Sequence, residues 1–194
     1  YLTTLIVGCG YVGSALAGRL VDAGAEVLCA RRRASDLPGG AIGVELDVRD
    51  QASIARLVPA VMDAYGKIDI LVNNAGCNVR KPAVEVTWED WNLVLDTNLR
   101  GAFFTAQAAA RAMIPRRRGR IINIGSVTSV FGYAGLAPYC ASRGGTRQLT
   151  MSLADDWGRH GITVNCLAPG WFKTAQNAVM YEDREWVAYL CDRI

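Results

Sequence analysis

The chain has 194 residues, of which 51% are hydrophobic and 20% charged, a balance typical of one globular domain with a substantial core. Its formal charge of +3, from 21 basic and 18 acidic residues, is too small to indicate a nucleic acid or an anionic membrane as partner. The single histidine, His160, excludes the usual zinc sites and serine hydrolase triads, so we expect no metal.

The cysteines and the hydropathy pattern bear on the compartment. Six scattered cysteines without a C-x-x-C pair are typical of free thiols in a reducing cytoplasm. No run approaches the roughly 18 apolar residues of a membrane span, and no charged leader precedes a cleavage site. We therefore expect a soluble, cytoplasmic protein.

Short apolar runs bounded by turn residues alternate with helical patterns along the chain. Strands are predicted at 2–7, 26–30, 42–46, 68–72, 120–124 and 162–167. Helices are predicted at 13–23, 53–65, 88–113 with a break near Gly101, and 139–157. This alternation favours an α/β fold with a doubly wound parallel sheet.

The first candidate site follows the first strand, where Gly8-Cys9-Gly10-Tyr11-Val12-Gly13 gives G-x-G-x-x-G at the start of a helix. Such glycines permit a tight turn and let backbone N–H groups approach a pyrophosphate at the helix N-terminus. The alternative is a structural turn without a ligand. We interpret Gly8, Gly10, Val12 and Gly13 as dinucleotide-binding residues.

The second predicted strand runs into Arg31-Arg32-Arg33, with no carboxylate at its end. An acidic residue there would bind the ribose 2′-hydroxyl of NAD, whereas guanidinium groups suit the 2′-phosphate of NADP. NADP is therefore favoured over NAD, although three arginines can also simply solubilise a loop. The following link, 31–41, is too short for a crossover helix and contains Pro38-Gly39-Gly40, so we predict a loop.

The third predicted helix has a clear start. Thr87 followed by Asp90 resembles a capping box with aspartate in place of glutamate, so the helix should begin there. Trp88 and Trp91 are then expected to pack inward.

Tyr139-Cys140-Ala141-Ser142-Arg143 opens the last predicted helix, with Tyr139 and Arg143 four residues apart on one face. Ser126 follows the fifth predicted strand, and Asn98 lies in the long helix. Asn73-Asn74-Ala75-Gly76 follows the fourth strand, and Pro169-Gly170 follows the sixth.

Jointly, these motifs resemble the short-chain dehydrogenase/reductase family, in its compact single-domain branch, over nearly all of the chain. The stretch Asn165…Pro169-Gly170…Thr174 adds to the match. The glycine loop is one residue tighter than in the compact branch, and residues 2–58 also resemble the epimerase-like branch. The resemblance implies a Rossmann-like, three-layer α/β/α domain over 1–194. Family chains continue past Ile194, so we expect a truncated C-terminal end that lacks the last strand.

The resemblance implies roles for four residues. Tyr139 would be the general acid in carbonyl reduction and the base in the reverse direction; a phenol with a pKa of about 10 needs a nearby cation for this. The family normally has a lysine where this chain has Arg143. Ser126 would hydrogen-bond the reacting oxygen, and Asn98 would bind a water in a proton relay.

The resemblance also completes the predicted binding sites, with Asp47 facing the adenine. The cofactor residues are Gly8, Gly10, Val12, Gly13, Arg31, Arg32, Asp47, Val48, Asn74, Ala75, Gly76, Tyr139, Arg143, Pro169, Gly170 and Thr174. The substrate residues, which follow the serine or the Pro-Gly turn, are Ser126, Val127, Thr128, Trp171 and Phe172, and they make the pocket partly apolar.

The implied function is hydride transfer between NADP(H) and the carbonyl or secondary alcohol carbon of a small molecule. One alternative is a catalytically weak nucleotide-binding protein or recombined scaffold, motivated by Arg143 and the mixed N-terminal region. An epimerase or dehydratase could use the same tyrosine, but such enzymes carry a larger C-terminal lobe. The resemblance also implies a homodimer or homotetramer formed by pairing of the helices around 101–113 and 139–157, where the alanines of the first helix allow close approach.

Overall fold

A computed structural model describes residues 2–33, 37–173 and 178–192. Within these ranges, six parallel strands form one sheet in the order β3-β2-β1-β4-β5-β6. The strands are β1 (Thr3–Val7), β2 (Glu26–Arg31), β3 (Ile42–Glu45), β4 (Ile70–Asn73), β5 (Gly119–Ile124) and β6 (Ile162–Leu167). The strand order reverses between β1 and β4, which opens a crevice at the carboxyl ends of the strands. The predicted doubly wound parallel sheet is confirmed.

Helices cover both faces of this sheet. They are α1 (Tyr11–Asp22), α2 (Gln51–Tyr65), α3 (Trp88–Leu95), α4 (Gly101–Met113), α5 (Ala137–Gly158) and α6 (Arg184–Cys191). Leu5 and Val7 of β1 belong to a hydrophobic cluster with Met113, whereas Ile6 belongs to a second cluster with Ala17. Because successive strand residues point to opposite faces, the two clusters lie on the two sides of the sheet.

The link between β2 and β3 contains no helix among residues 32, 33 and 37–41, so the predicted loop agrees with the part of the link that the structure describes. Pro38 accepts a hydrogen bond from the amide of Ala41 at 3.1 Å, and Gly40 has a φ of +87°. A turn of this kind needs a glycine at the positive φ and cannot continue as a helix.

The long predicted helix is broken, as expected, by a π-helical turn at Asp96–Arg100. Its start is also confirmed: Thr87 Oγ1 accepts from the amide of Asp90 at 3.2 Å, and Asp90 Oδ2 accepts from the amide of Thr87 at 3.1 Å. These two bonds satisfy amide groups that the first helical turn leaves unpaired.

The expectation that Trp88 and Trp91 pack inward is wrong. Their side chains are 80% and 40% exposed, respectively. The inward face is instead marked by the buried Val94 and Asn98, which lie four residues apart. Both tryptophans lie in the first turn of α3, before Val94, and remain exposed there.

Three features of the described ranges concern membrane-spanning helices, disulfides and metal-binding groups. None of their helices is long and apolar enough to cross a membrane. All six cysteines are free thiols. Within the same ranges, no three histidine, cysteine or acidic side chains form a group that could hold a metal.

Candidate active site

The glycine loop between β1 and α1 packs directly against the residues that follow β4. Gly8 has a φ of +94°, and a Cβ on it would lie 2.3 Å from the amide nitrogen of Ala75. A Cβ on Gly13 would lie 2.5 Å from the carbonyl oxygen of Gly8, which also accepts from Asn74 Nδ2 at 2.6 Å. Neither position has room for a side chain, so two glycines let the loop close onto Asn74 and Ala75.

In contrast, Gly10 faces open space. It caps α1 without a side-chain hydrogen bond, and a Cβ on it would meet no atom within 4 Å. The first helical turn, which includes the exposed Val12, presents its amide groups at the positive end of the helix dipole. A pyrophosphate fits this open turn, so the residues present suit a dinucleotide.

The carboxyl ends of β2 and β3 form the neighbouring edge of the crevice. Arg31, half-buried, ends β2, and Arg32 is exposed beyond it. Asp47 follows β3, and its Oδ2 pairs with Arg49 Nη2 at 2.7 Å. Hydrogen bonds from Arg49 hold the pKa of the Asp47 carboxyl below its ordinary value, and the positive charge of Arg32 adds to this effect. Arg32, one of the two predicted arginines, therefore lies within electrostatic reach of Asp47.

A buried polar network joins the carboxyl ends of β4 and β5. Asn73 Nδ2 donates to Asn123 Oδ1 at 2.9 Å, and Thr105 Oγ1 donates to Asn73 Oδ1 at 2.7 Å. Asn123 Nδ2 donates to Thr150 Oγ1 at 3.0 Å. These bonds tie α4 and α5 to the two strands that carry the site. Neither asparagine was predicted to have this role.

Asn98 lies in the π-helical turn and is fully buried. Its Oδ1 accepts from the amide of Cys77 at 2.8 Å, and its Nδ2 donates to the Cys77 carbonyl at 2.9 Å and to Ser142 Oγ at 3.0 Å. Asn98 therefore clamps the loop after β4 against α5. A π turn of this kind is often found at functional sites.

Ser126 and Tyr139 come from the end of β5 and the start of α5. The Ser126 Oγ accepts from the amide of Thr128 at 3.1 Å, and the Ser126 amide donates to Ser129 Oγ at 3.1 Å. Tyr139 is half-buried in the first turn of α5, directly after Pro138. The short turn after β5 thus fixes the serine hydroxyl, while a helix start fixes the phenol.

The Arg143 side chain is buried and packs on the ring of Tyr139. Its Nη1 donates to the carbonyl oxygen of Ile124 at 2.6 Å, and its guanidinium carbon lies 5.1 Å from the ring centre. A Cβ on Gly76 would lie 2.3 Å from Arg143 Nη2. Gly76 therefore provides the space for the guanidinium, which presents its charge to the face of the phenol.

A cleft of about 530 Å³ opens at the carboxyl ends of β4, β5 and β6. It brings together these predicted residues: Asn74, Gly76, Ser126, Val127, Thr128, Tyr139, Arg143, Pro169, Gly170 and Trp171. Val48 is instead buried against Gly101 of α4. Phe172 is 68% exposed and lies outside the described cleft lining. Thr174 falls outside the described residues.

The cleft wall also contains side chains that the motifs did not predict. They are Cys77, Asn78, Arg80, Ile124, Leu136 and Met180. The first three directly continue the loop after Asn-Asn-Ala-Gly, and that continuation was the available signal. Met180 comes from a 3-10 turn at Ala178–Glu182, which no motif marks. Arg80, whose guanidinium carbon lies 5.5 Å from the Tyr133 ring centre, adds a cation to the wall.

Comparison with known proteins supports the resemblance to the short-chain dehydrogenase/reductase family. A model of the short chain dehydrogenase family matches residues 3–185. Gluconate 5-dehydrogenase of Gluconobacter oxydans (strain 621H) is 42% identical over 192 residues, covering 94% of this chain and 75% of that protein. The 5-keto-D-gluconate 5-reductase of Escherichia coli (strain K12) is 37% identical over 153 residues, covering 79% of this chain and 60% of that protein. The chain is thus aligned with only part of each relative.

The fold comparison agrees. The crystal structure of a gluconate 5-dehydrogenase from Burkholderia cenocepacia J2315, in complex with NADP and tartrate, matches with a TM-score of 0.90 and 36% identity. The match covers 99% of this chain and 80% of that one. Agreement of this extent in both sequence and fold exceeds what a shared architecture alone gives. The chain therefore belongs to the short-chain dehydrogenase family, whose members are oxidoreductases that use NAD(P).

Proposed function

We propose that this chain is an NADP(H)-dependent oxidoreductase that interconverts a ketone and a secondary alcohol on a small polyhydroxy acid. The observation that carries the proposal is that Ser126, Tyr139 and Arg143 line the same cleft. Relatives named for gluconate and 5-keto-D-gluconate support the substrate class. The alternative of a catalytically weak nucleotide-binding protein finds no support in them.

Preference for NADP rests on the charge at the end of β2. Arg31 and Arg32 follow the strand where a carboxylate would receive the ribose 2′-hydroxyl of NAD, and guanidinium groups bind a 2′-phosphate through paired hydrogen bonds. Asp47 is already paired with Arg49, which offsets its repulsion of a phosphate. The NADP bound to the Burkholderia relative supports this preference. When bound, the nicotinamide supplies or accepts the hydride.

Tyr139 moves the proton in this proposal. Its phenol donates to the carbonyl oxygen during reduction and recovers the proton in the reverse direction. Ser126 Oγ accepts from the Thr128 amide, which leaves its own hydrogen to donate to the same substrate oxygen. The Arg143 guanidinium, whose carbon lies 5.1 Å from the ring centre, packs on the phenol ring and holds its orientation.

Asn98 positions the site and, in this proposal, also binds the relay water. Both hydrogens of its Nδ2 are already donated, to Cys77 and Ser142, and its Oδ1 already accepts from Cys77. We therefore place the water at the backbone carbonyl of Asn98, which accepts from Thr146 Oγ1 at 3.4 Å and has a second lone pair for the water. The side chain acts on catalysis by holding the loop that contains Cys77.

Assembly and extent follow the same family pattern. We propose that residues 1–194 act as one dinucleotide-binding and catalytic unit and that α4 and α5 pair across a homodimer or homotetramer. Phe104 and Met151, 42% and 53% exposed on these helices, support a partner surface there. Light scattering that gives a monomer at micromolar concentration would contradict the assembly. A cytoplasmic location stays a prediction.

A panel of ketones and polyols, assayed with NADPH and NADH and in reverse with their oxidised forms, tests the function. We expect NADPH-dependent reduction of a keto sugar acid, and a loss of at least about 10²-fold in kcat for Tyr139→Phe with NADPH binding retained. As a matched control, Tyr65→Phe removes a hydroxyl that donates to Val27 far from the cleft and should leave kcat unchanged. NADPH binding without turnover of any substrate would favour the weak nucleotide-binding alternative.

A further inference from the structure

Buried polar atoms without a partner mark places where a ligand can complete the hydrogen bonding. Among the described residues, the side-chain atoms of this kind are Thr4 Oγ1, Thr128 Oγ1, Arg143 Nε, Trp171 Nε1 and Tyr181 OH. Thr128, Arg143 and Trp171 line the cleft that also contains Ser126 and Tyr139. Unsatisfied hydrogen-bonding capacity is therefore concentrated around the reacting groups.

Thr128 is held in a fixed position two residues after the serine. It belongs to the short 3-10 turn Val127–Ser129, and its amide donates to Ser126 Oγ at 3.1 Å. The residue is 4% exposed, yet its Oγ1 finds no hydrogen-bond partner in the described part of the chain. Burying a hydroxyl unpaired costs stability, and at the wall of a cleft a bound ligand can recover that cost by completing the bond.

Trp171 belongs to the wall that follows β6, where aromatic neighbours hold its ring. The ring centre lies 5.5 Å from that of Tyr133 and 5.3 Å from that of Trp186 in α6. Trp186 is itself anchored, because its Nε1 donates to the Tyr133 hydroxyl. In contrast, the indole N–H of Trp171 has no acceptor among the described residues.

We infer that Thr128 Oγ1 and Trp171 Nε1 bind hydroxyl groups that flank the reacting carbon, and so select hydroxylated substrates over plain ketones. The inference rests on the proposed function. A substrate hydroxyl both donates and accepts, so it can pair with threonine, and its oxygen can accept from an indole N–H. Both side chains line the cleft, and the threonine hydroxyl can turn by rotation about its Cα–Cβ bond, so a bound hydroxyl can reach the two unpaired atoms. A plain ketone leaves both atoms unpaired and is rejected.

The test compares two keto acids of equal length, one with hydroxyls on both carbons beside the carbonyl and one without them. The measured quantity is the ratio of their kcat/KM values with NADPH. We expect Thr128→Val, which keeps the side-chain shape, to lower this ratio about tenfold. Thr128→Ser, which keeps the hydroxyl, should have the ratio of the wild type. Trp171→Phe should also lower it. The melting temperature of Thr128→Val should not fall, because the lost hydroxyl has no partner.

Thr4→Val is the matched control, since Thr4 is 2% exposed in β1 and its Oγ1 is equally unpartnered among the described residues. Its ratio should equal that of the wild type. An unchanged ratio in Thr128→Val, or an equal fall in the control, overturns the inference. If Thr128→Val does not fold, an unchanged ratio in Trp171→Phe overturns it instead. Equal kcat/KM values for both ketones in the wild type overturn it but leave the proposed function standing. Reduction of neither ketone overturns the proposed function itself.

Discussion

Asp69 is the charged residue whose removal should cost the most stability, and it lies at the end of the sheet away from the cleft. It precedes β4 and is 4% exposed. Its carboxylate accepts from the amide of Thr3 at 3.1 Å and from Arg116 Nη2 at 2.8 Å, and Lys67 Nζ lies 3.3 Å away. Its backbone also bonds to Thr3 and Arg120. The residue therefore ties β1, β4 and β5 together.

The size of the effect follows from the pKa of this carboxyl. Burial raises the pKa, but hydrogen bonds from Arg116, the Thr3 amide and Lys67 outweigh it and lower the pKa from 3.8 to about 2. This lowering of the pKa corresponds to about 2 kcal/mol of folding free energy. Asp69→Asn keeps the shape and removes the charge, so it should cost about that much and lower Tm by roughly 4–8 °C.

The sign of the pH dependence is fixed by the lowered pKa. The stabilisation is fully present above pH 3.8 and is lost as the pH falls toward about 2, where the wild-type carboxyl becomes neutral. The unfolding free energies of the wild type and Asp69→Asn should therefore differ at pH 7 and converge between about pH 4 and pH 2.

Urea unfolding followed by tryptophan fluorescence, at pH 7, 5, 4 and 3, measures this difference. Asp22→Asn, at an exposed position in the last turn of α1, is the matched control and should change the free energy by less than about 0.5 kcal/mol. Equal stability of the wild type and Asp69→Asn at pH 7 would refute the reasoning. So would a difference that stays constant down to the lowest pH.

Two further predictions concern the active site. Arg31→Asp should lower the ratio of kcat/KM for NADPH over NADH by at least about tenfold, because it replaces a phosphate-binding cation with a carboxylate that accepts the 2′-hydroxyl. Arg118→Asp, outside the crevice, should leave that ratio unchanged, and an unchanged ratio in Arg31→Asp would contradict the NADP preference. Arg143→Lys should raise kcat about tenfold, equivalent to roughly 1.4 kcal/mol, because an ammonium can approach the phenol oxygen as a point charge. A fall in kcat would show that the site is built around arginine.

The strands and helices of this chain could be predicted because parallel strands buried on both faces require apolar runs, as in β1 and β2. The exact bounds of these strands and helices could not be predicted. The fourth strand was expected over 68–72 but is found at Ile70–Asn73. Asp69 instead uses its carboxylate to accept from the Thr3 amide, a bond between residues far apart in sequence.

The positions of the candidate site residues could also be predicted to a large extent. Ser126 follows a strand and Tyr139 starts a helix, so the sheet topology brings both to the same edge. The exposure of Trp88 and Trp91 was missed, because a helical repeat shows which residues share a face but not which part of that face the rest of the fold covers.

By itself, the sequence determined the α/β fold, the glycine loop and the residues that flank the cleft, because these depend on spacing within one strand or one helix. Only the tertiary structure decided how the long side chains are used. Arg143 packs on the phenol ring because Ile124 accepts from one guanidinium nitrogen and Gly76 leaves room for the other. Those two contacts come from β5 and from the loop after β4, and no local pattern along α5 contains the information about where a flexible side chain meets them.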